Sequence, residues 1–169
     1  MLLPTKQASA ISTNANNSTI NLIDQDTNSV YSSPDGVFSD NDWVQIELVN
    51  VGLVHEVRIT NPVNCCDDKR INIEIRVGDS GTTTQQPDAW LNNKRCGMYD
   101  GPQKNGDVIV IRCQPPLEGK YSTIQMLDGS DGAMNIAEAE FIGTSKGKIK
   151  SEEKYNFVLH KKLYSMHIL

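Results

Sequence analysis

An antiparallel β-sandwich is the fold class that this 169-residue chain predicts. Three observations lead there. Short segments alternate apolar and polar residues with a period of two, clusters of Gly, Asn, Asp and Pro separate them, and no stretch offers a convincing amphipathic helix. Trp43-Val-Gln-Ile-Glu-Leu48 places Val44, Ile46 and Leu48 on one face, and His55-Glu-Val-Arg-Ile-Thr60 places Val57 and Ile59 together. Both read as half-buried strands. Ile71, Ile73, Ile75 and Val77 repeat the period, while Val108-Ile-Val-Ile111 is a continuous apolar run suited to a strand covered on both faces. Tyr121 to Met126 follows a Gly-Lys turn, and Met134 to Phe141 closes the series. Trp90, within Gln-Pro-Asp-Ala-Trp-Leu, is expected to plug the core rather than stack on a ligand. His55, just ahead of a strand, is expected to be structural.

The length suits one domain with a real core. Sixteen basic against 21 acidic residues give a formal charge of −5, and a pI near 5.1 leaves no electrostatic footprint for a phosphate backbone. Nucleic acid is therefore not an expected partner. No window approaches the roughly 18 apolar residues of a transmembrane segment, and Met1-Leu-Leu-Pro4 lacks the basic start of a signal peptide. Composition changes at Gly143-Thr144-Ser145: residues 144–169 hold six lysines against Glu152 and Glu153. We therefore divide the chain into a domain over 1–143 and a basic, solvated extension over 144–169.

Four cysteines, at 65, 66, 96 and 113, form no C-x-x-C, and the three histidines, at 55, 160 and 167, complete no cluster with them. Their even number, with overlapping glycosylation sequons at Asn16-Asn17-Ser18-Thr19, favours a secreted protein over a cytosolic one with four thiols. No nucleophile elbow, zinc-protease motif or Cys/His pairing is present. Asp67-Asp68 and Asp40 with Asp42 read as solvated acidic loops, so the expectation is a protein that is not an enzyme. The adjacent Cys65-Cys66 stands out. Joined, the two would close a rigid eight-membered ring and expose a small apolar ledge beside Asn64, Lys69 and Arg70.

Cys65-Cys66-Asp-Asp-Lys-Arg-Ile-Asn-Ile-Glu-Ile-Arg-Val-Gly78 resembles the central motif of the F-type lectins, or fucolectins. The likeness extends across most of 1–143, through Asn21-Leu-Ile-Asp24, Trp43 to Leu48, Val57 to Asn61, Gly119 to Ile124 and Asn135 to Phe141. It implies an all-β, eight-stranded jelly-roll sandwich of the galactose-binding-like, discoidin-like type. It also implies a lectin that binds carbohydrate, in the family a terminal fucose, with glycans or glycoproteins as partners. The resemblance further implies the disulfide pairing Cys65–Cys66 and Cys96–Cys113. The implied sugar-binding set is Asn64, Cys65, Cys66, Lys69 and Arg70, with Ser32 and Ser33 opposite. The family's first basic position falls on Pro62, and Tyr31 to Phe38, where a His belongs, contains none. Monovalent fucose affinity is accordingly expected to be weak, with a homo-oligomer supplying avidity. As cofactor the resemblance implies Ca²⁺, held at Asn21, Asp24, Asp26, Ser33, Ala137 and Glu138; an Asn-Ile-Asp turn capped by its own Asx side chain is the alternative. The alternative function is a protein-binding or structural adhesion module on the same scaffold.

Overall fold

The computed structural model describes residues 1–10, 18–33, 42–128, 130 and 132–146. Eight strands run through them: β1 Thr5–Ala10, β2 Tyr31–Ser32, β3 Trp43–Thr60, β4 Arg70–Gly78, β5 Lys94–Pro102, β6 Val108–Met126, β7 Asn135–Ile136 and β8 Glu138–Ser145. The sandwich expectation holds. β3 and β6 pair antiparallel along nearly their whole length and carry the hydrogen bonding from one layer into the other. In the first layer the order is β1-β3-β6-β4-β5; in the second, the far half of β3 lies between β8 and the near half of β6. β2 and β7 form a separate two-stranded ribbon.

The layer crossing is built on glycine. Gly52 of β3 faces Gly119 of β6 at the register break after Glu47. A Cβ at Gly119 would sit 2.5 Å from backbone atoms of Gly78, too close for any side chain. Thus Trp43–Leu48 and His55–Thr60, read as two strands, are one strand with bulges, and Val108–Ile111 joins Tyr121–Met126 likewise. His55 lies exposed at the second bulge of β3.

Inward-facing Val44, Ile46, Val57, Ile59, Ile73, Ile75, Ile109, Ile111, Ile124 and Phe141 form one buried cluster between the layers. Two burial expectations are corrected. Residues 43–48 are buried on both faces, because the excursion between β4 and β5 folds over the outer side of the sheet. There Trp90 meets Trp43 at 6.2 Å between ring centroids, the Gln45 amide donates to Ser80 O and Thr123 Oγ1, and Gln45 Oε1 accepts from Thr82 N. Trp90 is a plug as expected, but of this outer core. Conversely, Val108–Ile111 is covered on one face only: Val108 and Val110 are 48% and 43% exposed. β4 pairs with β6 only over Tyr121–Met126, which leaves the first half of β6 as a sheet edge.

β1, β2 and β5 carry too few alternating apolar residues to be read from sequence. β8 runs to Ser145 and Lys146 N donates to Val51 O, so pairing continues past the compositional break at 143. Residues 147–169 of the basic extension, Asn16 and Asn17 of the sequons, and loop residues 34–38 lie outside the described residues. Among the described residues no helix is long and apolar enough to cross a membrane.

Candidate functional site

The loop from β3 to β4, residues 61–69, is zipped to the turn between β5 and β6. Asn61 N donates to Asp107 O, Gly106 N to Pro62 O, Asp68 N to Gln103 O and Gln103 N to Lys69 O, at 2.7–3.2 Å. Asp67 Oδ1 accepts from Asn105 N. Gln103, only 3% exposed, completes the joint: its amide donates to Asn61 Oδ1 and to Asn135 O, tying both loops to β7. Sequence reading missed Gln103, since its partners are brought together only by the fold. Cys66 and Asp68 take φ of 73° and 60°, left-handed values that non-glycine residues adopt at some cost where the surroundings hold them.

Cys65 and Cys66 are bonded to each other, with Cα atoms 3.7 Å apart, and Cys96 is bonded to Cys113. The pairing implied by the family resemblance is the one present. Asn64, Cys65 and Lys69 are exposed and Cys66 half-buried, so the sulfur ledge faces solvent. Lys69 Nζ lies 3.8 Å from where a Cβ on Gly132 would stand, which sets the ammonium over the loop leading into β7.

Three members of the expected sugar-binding set are engaged by other residues. Arg70 makes a two-pronged ion pair across the sheet to Asp100 of β5, Nε–Oδ1 and Nη2–Oδ2 both at 2.8 Å, and holds that carboxyl below its usual range. Ser33 is 1% exposed; its hydroxyl accepts from Met134 N. Ser32 donates to Asn135 Oδ1 at 2.6 Å, and Asn135 O in turn accepts from Gln103, which holds the disulfide loop. Pro62, at the family's first basic position, is buried. Asn64, Cys65, Cys66 and Lys69 remain as the exposed face of the loop.

Of the implied calcium ligands, Asn21, Asp24, Asp26 and Glu138 lie at or near the loop that follows the 3₁₀ turn Thr19–Leu22. Asn21 O, Asp24 Oδ2 and Asp26 O all lie within 3.3 Å of Ser29 Oγ, whose single proton serves one acceptor at a time. Asp24 Oδ1 accepts from Asp26 N, the Asx turn of the alternative reading, and the Asp26 carboxylate accepts twice from Asn28. Glu138, 6% exposed, accepts from Gln25 N. Burial first, then the negative charges of Asp24 and Glu140, push its pKa up to about 7. Ala137 N donates to Thr60 O. Among the described residues no three His, Cys, Asp or Glu side chains converge, so carbonyl oxygens would supply most of a cation's shell. The donors nonetheless suit a hard cation: Asp24 and Glu138 bring two carboxylates, neither in a salt bridge among the described residues, and the Asn21 and Asp26 carbonyls share Ser29 Oγ with Asp24.

Residues 21–124 match the model of a family described as the NedA-like, galactose-binding domain. Fucolectin-1 of Anguilla japonica is 26% identical over 88 residues, which are 52% of this chain and 46% of that protein. A pentraxin fusion protein of Xenopus laevis is 31% identical over 86 residues, 51% of this chain and 19% of that protein. The chain thus spans about half or less of the length of these relatives. A fucolectin structure from Morone saxatilis serum superposes with a TM-score of 0.69 at 22% identity, covering 88% of this chain and 52% of that one. The family 32 carbohydrate-binding module of Clostridium perfringens NanJ, solved with galactose, gives 0.65 at 18% identity, covering 83% and 96%.

Proposed function

This chain belongs to the family of NedA-like galactose-binding domains, and from that membership we propose that it is a non-enzymatic lectin module binding a terminal saccharide at Asn64, Cys65, Cys66 and Lys69. The observation that carries the reading is the solvent-facing disulfide ledge, on a loop held by two neighbours, with an exposed ammonium at its end. The sulfurs offer a rigid apolar surface to a pyranose face, Lys69 donates to ring hydroxyls, and the Asn64 amide both donates and accepts. Little ordering entropy is spent because the zipped loops preset the ledge.

Arg70 acts in this reading as a brace between β4 and β5. With Arg70 engaged by Asp100 and Pro62 buried, one cation faces the sugar, and each lost charge-assisted hydrogen bond is worth roughly 1.5–3 kcal/mol. Monovalent fucose binding is therefore weak, and useful avidity comes from homo-oligomeric display or from another saccharide. Asn21, Asp24, Asp26 and Glu138 would supply the donors for a calcium ion, which when bound would neutralise the two carboxylates of Asp24 and Glu138. Two disulfides suit an oxidising compartment, which supports secretion.

A glycan array followed by titration tests the reading. We expect selection of particular terminal sugars, a loss of at least tenfold in Lys69→Ala, and a change under threefold in Arg70→Ala. Binding that no saccharide inhibits would overturn it and favour a protein-binding module.

A further inference from the structure

The two layers of the sandwich part on one flank. β5 ends the first layer and the near half of β6 edges the second, with the Cys96–Cys113 bond joining them. Towards the 103–107 turn lies an open cleft of about 430 Å³, within the usual range for small-molecule pockets. Tyr99 and Pro102 of β5 form one wall, Val108 and Val110 of β6 the other, and Lys104 and Asp107 stand on the turn between them. Buried Asn61 also lines the cleft, with its amide engaged by Lys104 O and Gln103.

We infer that this flank cleft is a second saccharide site, taking one neutral pyranose, separate from the disulfide ledge; the inference rests on the lectin reading above. The cleft surface is mixed, more polar than apolar, because the unpaired edge of β6 at residues 108–110 lines it; the exposed Val108 and Val110 add apolar patches where a half-solvated strand ordinarily turns polar residues outward. The Tyr99 hydroxyl donates its proton to Pro102 O, so what it offers a ligand is the ring and an acceptor oxygen. The valine patches and the ring suit the C–H face of a sugar, and the larger polar surface suits its hydroxyls. Lys104 and Asp107, both exposed, give one donor group and one acceptor group of opposite charge, which matches a ring of neutral hydroxyls better than an anionic or cationic ligand.

Amide chemical-shift mapping with methyl α-L-fucopyranoside, methyl β-D-galactopyranoside and linear trisaccharides containing them tests the inference. In the unmutated chain, shifts at Tyr99 and residues 104–110 are expected beside those at residues 64–69. Lys69→Ala should leave the cleft shifts within twofold in affinity, while Val110→Asp weakens them at least tenfold and leaves the ledge within twofold. Lys104→Ala, on the exposed turn, should weaken cleft binding at least threefold and carries the test if Val110→Asp fails to fold. Shifts confined to residues 64–69 would overturn the cleft and leave the lectin reading standing. Silence in both regions, with no glycan retained on an array, would overturn both. Cleft amides that answer to an extended valine-rich octapeptide and to no saccharide would assign the flank to a protein strand and overturn the inference.

Discussion

Glu138 concentrates the electrostatic tension beside the loop that carries Asp24. Its pKa is raised from 4.5 to about 7 by burial and by two neighbouring carboxylates. A carboxyl held above its unfolded value favours the folded state only while protonated, so that stability is complete below about 4.5 and is lost as pH rises through about 7. In chelator, the melting temperature of the unmutated chain should therefore fall relative to Glu138→Gln across that window; parallel curves would refute the burial argument. Calcium should reverse the order above neutral pH, raising the unmutated chain and not the variant. Gln103 gives the second test at this scale. Gln103→Ala strands Asn61 Oδ1 and Asn135 O, at a cost of about 1–3 kcal/mol, and should speed hydrogen exchange at Asp68 more than in the core of β3. Legibility also differs residue by residue. The Cys65–Cys66 bond was readable because its two partners are neighbours in sequence. The partners of Arg70 and Ser33 were not readable, because Asp100 and Met134 are 30 and 101 residues away.

Among the elements, the outer lid between β4 and β5 is a small core in its own right. Trp90 packs on Trp43, and Arg76 Nη1 donates to Leu91 O and Asn93 O. Trp90→Ala should cost about 3–5 kcal/mol as a buried aromatic deletion, with protease cleavage appearing first between Gly78 and Lys94. A loss below 1 kcal/mol would mean that the lid stands without its plug. The sequence announces the inner faces of β3, β4 and β6 through their period of two, but not this lid, whose contacts form against Trp43 and Gln45 far back in the chain. Nor does it announce β1 and β5: edge strands need no apolar stripe on both sides, and polar segments such as Thr5–Ala10 look like loop until their partner is known. Asn50 and Gly52 resemble a turn between two strands; in the fold they bend one strand instead.

For the whole molecule, the Cys96–Cys113 bond is a covalent tie, beyond the 103–107 turn of the backbone, between the end strand of the first layer and the edge of the second. It closes a loop of 17 residues, worth about 3 kcal/mol in the chain-entropy account. The paired Cys96→Ala, Cys113→Ala chain should lose about that much in denaturant melts, whereas Cys65→Ala, Cys66→Ala, whose ring encloses no loop, should lose far less stability and most of its sugar binding. Equal losses of stability would refute the division of labour between the two bonds.

The strands that pass through both layers carry one more consequence, for how the chain acquires and loses its structure. Trp43 pairs with Gln125 and Thr60 with Val108, so a single ribbon of distant partners supplies the central strands of both layers. Neither layer can assemble first and wait for the other. Folding must meet the entropy of closing the long 61–107 segment before either face gains its burial, which predicts slow, single-exponential folding without a half-formed sandwich. By the same reasoning, the slowest-exchanging amides of β3 and β6 should open together, on the two sides of Gly52 alike, at the free energy of global unfolding.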